Sequence, residues 1–113
     1  MKFSEEDKKN FLKGFTKILK SIKGKGPGNI FIRYKNDEIH VVIEDSMSVY
    51  EKYLIKNFKQ EAVNMLQTIY EKDCNNKQNE FSKLINSKYE CIIYEVETDF
   101  NRDIFTYKIK MEE

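Results

Sequence analysis

The stretch that decides the fold is NIFIRYKNDEIHVVIE, residues 29–44. Apolar side chains alternate on both sides of Asn36 and Asp37, a pair that tolerates positive φ and suits a two-residue hairpin turn. With that turn, Tyr34 faces Ile39, Ile32 faces Val41 and Ile30 faces Ile43, so one face of a hairpin over residues 29–35 and 38–44 is uniformly large and apolar. A slip of one residue would send that set to the opposite face, which pins the register. The second face pairs Arg33 with His40 and Phe31 with Val42, a mixed composition more apolar than an ordinary solvated surface.

On the N-terminal side, Phe11, Leu12, Phe15, Ile18, Leu19 and Ile22 recur at one-, three- and four-residue steps. This is the stripe of an amphipathic helix. Ser4 is placed to cap its first turn, and Glu5, Glu6 and Asp7 sit at the positive end of its dipole. The glycines and the proline of Gly24-Lys25-Gly26-Pro27-Gly28 end it at or just before Gly24. A phosphate-binding loop needs the reverse order, strand before glycines and helix after, so this stretch reads as a helix terminator and hairpin entry.

On the C-terminal side, Ser48 and Glu51 have the spacing of a capping box, which starts a long helix at Val49. Leu54, Phe58, Ala62, Met65, Leu66 and Ile69 form its expected buried stripe. The pattern weakens through Asp73-Cys74-Asn75-Asn76 and resumes at Phe81, Leu84 and Ile85, so a kink or short break is expected there, with Asn86 at the helix end. A second hairpin closes the chain, residues 89–98 and 102–111. With Phe100-Asn101 as its turn, Val96 faces Phe105, Tyr94 faces Tyr107 and Ile92 faces Ile109, leaving Cys91, Ile93, Glu95, Glu97, Ile104, Thr106 and Lys108 on the other face.

The order is α-ββ-α-ββ, and the reading is an α+β fold: a four-stranded antiparallel sheet from two hairpins, with the helices packed on one face. At 113 residues it is expected to be a single domain spanning residues 1–113. Seven Tyr and eight Phe give it the means to fold despite 35% charged residues. No apolar run approaches the roughly 20 residues that span a bilayer. Acids stand where an export signal has its apolar stretch, and Cys74 and Cys91 lack the spacing of a zinc site or disulfide framework, so a cytoplasmic location with reduced thiols is expected.

Ile22-Lys23-Gly24-Lys25-Gly26-Pro27 before a hairpin, Ser48-Val49-Tyr50-Glu51 before a long helix, and Glu95-Val96-Glu97-Thr98 in the closing hairpin resemble, in that order, the bacterial MpsC-like family. The resemblance runs from about Phe11 to Ile109. Its most specific element is the glycine-lysine-glycine-proline turn, which fits the family's glycine-arginine-glycine-proline. The chain departs from the family pattern at Ser48-Val49-Tyr50, where threonine-proline-alanine is usual, and at Asn86 and Asn101, where glycine is usual. The family takes its name from a sodium-translocating, membrane-potential-generating system. The resemblance therefore implies a link to such a system, peripheral to the membrane, and implies no catalytic residue set.

The net charge of +1 conceals an asymmetry. Residues 1–35 hold ten Lys and Arg against three acids, and the remainder holds ten against sixteen. A basic module on an acidic body suits an anionic partner, nucleic acid or an anionic lipid surface, with Lys20, Lys23, Lys25 and Arg33 as candidate ligands. Lysines on a solvated helix face explain the same asymmetry. His40 is the one histidine, and no oriented partner for acid–base work is identifiable. Glu95, Glu97, Asp99 and Asp103 read as a solvated edge rather than a converging metal site. No catalytic, cofactor or metal residue is expected.

Three functional classes follow. The leading one is a non-enzymatic accessory or regulatory interaction protein, a homodimer in contact with a membrane-associated protein partner, with Phe31, Val42, Ile93 and Ile104 of the second sheet face as its candidate interface. The second is the nucleic-acid or anionic-membrane binder. The third is a small-molecule sensor or enzyme with a pocket between helix and sheet.

Overall fold

The computed structural model describes residues 4–35, 38–77 and 90–112, with side chains over 92–110 in the last stretch. Its elements are α1 (Glu5–Lys23), β1 (Asn29–Lys35), β2 (Glu38–Glu44), α2 (Val49–Asn76), β3 (Glu90–Asp99) and β4 (Ile104–Glu112). The strands form one antiparallel sheet in the order β1-β2-β4-β3. This is the expected α+β fold in the expected order, its two hairpins joined through β2 and β4. Both helices cover the same sheet face, and among the described residues one apolar core lies between the layers.

Local chemistry sets the ends of α1. Ser4 Oγ accepts from Asp7 N–H at 3.0 Å, and the Asp7 carboxylate accepts from Ser4 N–H, so two orphan donors of the first turn are satisfied reciprocally. Gly24 takes the left-handed conformation, φ 76°, and its N–H returns to Lys20 O at 2.8 Å. Phe11, Phe15, Ile18 and Leu19 are buried, with Leu12 and Ile22 at the margin of the core. Gly28 has a separate reason to be glycine, since a Cβ there would stand 2.6 Å from Asp45 Oδ2.

The first hairpin has the register read from its sequence: Tyr34 opposite Ile39, Ile32 opposite Val41 and Ile30 opposite Ile43. Its Asn36-Asp37 turn lies outside the described residues. The second hairpin differs from the expectation. Thr98, not Val96, lies opposite Phe105, Val96 opposite Tyr107 and Ile93 opposite Ile109, with a bulge between Ile93 and Glu95. The turn is longer than two residues because its ends have tertiary partners. Phe100 is buried against Tyr70 and Phe105, and Asp103, at φ 56°, turns its carboxylate onto the backbone of residues 46 and 47. The bulge at Tyr94 exchanges the faces of the earlier part of β3. Ile93 therefore enters the core, while Tyr94, expected inside, is 44% exposed.

The long helix also departs from its expected course. α2 runs unbroken through Asp73–Asn76 and ends there, and the expected resumption at Phe81, Leu84, Ile85 and Asn86 lies outside the described residues. The break falls instead at Lys59, with φ 45° and ψ −115°. Glu51 and Tyr70 are hydrogen-bonded, although 19 residues of straight helix would hold them about 28 Å apart. The two limbs, residues 49–58 and 60–76, thus fold back into an acute V. The fold-back reassigns the buried stripe. Ala62, Leu66, Tyr70 and Cys74 enter the core, whereas Phe58, Met65 and Ile69 of the expected stripe are 45–51% exposed.

The Lys59 backbone lies near the geometry of the first central residue of a type II′ turn, a position that glycine favours. A lysine there carries strain of about 1–3 kcal/mol. Lys59→Gly is expected to raise the melting temperature by a few degrees in a circular-dichroism melt, the relieved strain exceeding the added chain entropy, and Lys59→Val to lower it. A lower melting temperature for Lys59→Gly would show that the conformation is unstrained.

Candidate functional site

Lys23, on the last turn of α1, carries its ammonium into the molecule, where the side chain is only 8% exposed. It donates to Tyr70 Oη at 2.7 Å and Ser46 Oγ at 3.3 Å, and lies 3.5 Å from Glu51 Oε1. It also lies 4.8 Å and 5.1 Å from the ring centres of Tyr70 and Phe105. Tyr70 Oη in turn donates to Glu51 Oε2. Glu51 reaches this position because it is the third residue of its helix, where it also accepts from Ser48 N–H to complete the capping box. Asp103 binds the loop from the other side, accepting from Ser46 and Met47 N–H at 3.1 Å.

The titration shifts follow from these contacts. Burial lowers the Lys23 pKa, and the Glu51 and Asp103 charges only partly oppose it. Burial pushes the Glu51 carboxyl upward, but hydrogen bonds from the Ser48 backbone and Tyr70, with the Lys23 charge, outweigh it and hold the pKa below the ordinary carboxylate value. Burial, then the bond to Glu51, raises the Tyr70 phenol. The arrangement is an ion pair bridged by a neutral tyrosine. Each of these polar groups is bonded to another of the set.

Above the junction lies an apolar trough between the limbs of α2. Its inner part encloses about 400 Å³ and is lined by Ile22, Tyr50, Leu54, Met65, Leu66 and Ile69, with Lys23, Glu51 and Tyr70 at its base. Its outer part, about 270 Å³, continues past Leu54 and Met65 to Phe58. Glu61 stands at the outer end and Asp73 at the inner end.

The residues singled out in the sequence do not gather here. Of the candidate anion ligands, Lys23 is buried against Glu51, Lys25 lies 3.9 Å from Asp45, Lys20 is exposed on the last turn of α1, and Arg33 lies over the Phe31 ring on the sheet face opposite the helices. Of the candidate interface residues, Phe31, Val42 and Ile104 share that outer face, and Ile93 belongs to the core. Glu95 and Glu97 each lie 3.0 Å from Lys108, Asp99 is paired with Arg102, and His40 Nε2 lies 3.2 Å from Glu38. Cys74 is a buried free thiol whose pKa burial pushes up to about 12. Sequence reasoning missed Tyr70 and placed Asp103 on a solvated edge, whereas its carboxylate is held by the Ser46 and Met47 N–H groups. The four-residue spacing of Ala62, Leu66, Tyr70 and Cys74 was a usable signal for the first.

Fold and site together define a two-layer α+β protein with a self-neutralised polar junction beneath an open apolar trough. Among the described residues no helix is long and apolar enough to cross a membrane. Residues 5–110 match the family described as "Na+-translocating membrane potential-generating system (MpsC)", and the chain belongs to that family. No curated protein and no solved structure matches it.

Two outcomes test the junction. Glu51→Gln keeps the capping geometry but leaves the Lys23 charge without its counterion, which is expected to cost about 3 kcal/mol in chemical denaturation at neutral pH. Because the folded Glu51 pKa is depressed, its contribution is present above the unfolded carboxylate value of about 4.3 and is lost as pH falls through the folded value. The stability of Glu51→Gln should accordingly fall less steeply with acid than that of the parent chain. Asp103→Ala, which frees the N–H groups of Ser46 and Met47, is expected to cost about 2 kcal/mol, while Asp103→Asn, able to keep an acceptor and the positive φ, should cost less.

Proposed function

We propose that this protein is a non-catalytic accessory component of a sodium-translocating membrane system, held to a protein of that system by a helix seated in the trough of α2. The exposed apolar lining carries the reading. Tyr50, Phe58, Met65 and Ile69 are 45–68% exposed along a helix V that already has the outline of a helix-in-groove site. The trough ends supply the charge signature. Glu51 is neutralised by Lys23, whereas Glu61 and Asp73 flank the lining, which suits an amphipathic helix with an apolar stripe and basic ends. Family membership supports the membrane system as the place to look for that helix. The mutual occupation of Lys23, Glu51 and Tyr70 supports binding rather than catalysis, and the scatter of Lys20, Lys23, Lys25 and Arg33 weighs against a single anion-binding patch.

The test is co-purification of the full chain with the detergent-solubilised sodium-translocating complex. The parent chain should be recovered with the complex, and the double variant Phe58→Asp/Met65→Asp should lose at least about tenfold of that recovery, as truncation of central interface anchors does. Its melting temperature should be unchanged, because both side chains are half exposed. Equal recovery of the variant would reject the trough, and absence of the parent chain from the complex would reject the accessory role.

A further inference from the structure

The outer face of the sheet carries a charge pattern that is complementary to itself. The registers place its residues in rows: Arg33, His40, Lys108 and Glu95 in one, Phe31, Val42, Thr106 and Glu97 in the next, and Lys35, Glu38, Lys110 and Ile92 on the other side of the first. Along β1 the charges are positive, Arg33 and Lys35, and neither has an ion-pair partner among the described residues. Along β3 they are negative, Glu95, Glu97 and Asp99. The two charged strands are the two edges of the sheet, and the centre of the face is Thr106 beside Val42, which is itself only 4% exposed.

We infer that this face binds a second copy of the chain, packed sheet to sheet about a two-fold axis parallel to the strands and running between β2 and β4. That rotation lays β1 of one copy over β3 of the other. Arg33 then meets the partner's Glu95, Glu38 meets the partner's Lys110 and Val42 meets the partner's Thr106, each contact occurring twice. The other confrontations are His40 with the partner's Lys108, groups already held by carboxylates of their own sheets, and Phe31 with the partner's Glu97, Lys35 with the partner's Ile92 and Glu44 with the partner's Ile104, where a charge meets an apolar side chain. A two-fold axis perpendicular to the strands would stack β3 on β3 and set Glu95 against the partner's Glu97. Like-charge repulsion disfavours that alternative, since on each copy the two carboxylates share a single Lys108. The parallel axis is therefore the one that the charges favour.

The footprint sets the strength. Four strands about 4.8 Å apart and about seven residues long give a face on the order of 450 Å², at the small end of specific interfaces. The dimer is accordingly a weak, transient one, dependent on charge. Its helix-bearing side stays free, so this surface is separate from the trough.

Sedimentation velocity of the full chain over a range of concentrations tests the proposal. A dimer is expected at about 0.1 M salt that dissociates toward about 1 M, where the screening length falls from about 10 Å to about 3 Å. Arg33→Glu and Glu95→Arg should each weaken it at least tenfold, and the two together should restore it to within about threefold of the parent, since the contact is rebuilt with its signs exchanged. Circular dichroism establishes that each variant is folded. A monomer at every concentration in low salt overturns the proposal. So does a dimer insensitive to salt and to both single reversals, or one that the double reversal fails to restore.

Discussion

The ammonium of Lys23 is the point on which the rest of the structure depends. Removing a lysine charge from water costs several kcal/mol unless hydrogen bonds and a counter-charge replace the solvent. Here the replacements come from separate parts of the chain: Ser46 from the loop after β2, Glu51 from the first limb of α2, and Tyr70 from the second. None of these alone satisfies the charge. The end of α1, the loop and the two limbs of the V must therefore arrive together. Asp103 extends the requirement to the turn between β3 and β4, because it holds the loop that presents Ser46. Apolar stripes bring the layers together but leave room for helices to slide. The junction removes that freedom, since a shift of one helical turn would leave an ammonium, a phenol or a carboxylate buried without a partner.

This arrangement explains what was legible in the sequence. The first hairpin could be read because its register is fixed by alternation around a two-residue turn, information held within 16 adjacent residues. The capping box of α2 could be read for the same reason, Ser48 and Glu51 being three residues apart, whereas at the start of α1 Ser4 was legible as the cap and Asp7 only as a favourable charge. The second hairpin was misread because Phe100 and Asp103 resemble ordinary turn residues locally, while their conformations are set by Tyr70, Phe105 and the loop backbone. Lys59 gave no signal at all. Lysine is a good helix former in a helix-forming context, and only the tertiary contacts of both limbs hold it at positive φ.

One error propagated from that residue. On a straight helix Leu54, Phe58, Ala62, Met65, Leu66 and Ile69 lie on a single stripe, and a single stripe is expected to face the core. Folding at Lys59 turns the limbs toward each other, so Phe58, Met65 and Ile69 border the space between them instead of covering the sheet. The buried setting of Lys23 was hidden for a related reason. Lys23 reads as one more lysine on a basic helix, and its value lies in a carboxylate 28 positions away that is also serving as a helix cap.

The fold-back thus does two opposite things at once. It closes the polar groups of Lys23, Glu51 and Tyr70 on each other, and it opens an apolar trough directly above them. Because both helices lie on one side of the sheet, the trough and the charged outer face point away from each other. Occupation of one does not obstruct the other. A pair of chains joined through their outer faces would carry two open troughs on opposite sides, and two weak helix contacts made by one dimer bind far more tightly than either alone when the receptor geometry allows both. The modest area of each surface is then consistent with firm attachment to an assembly and easy loss of the single chain.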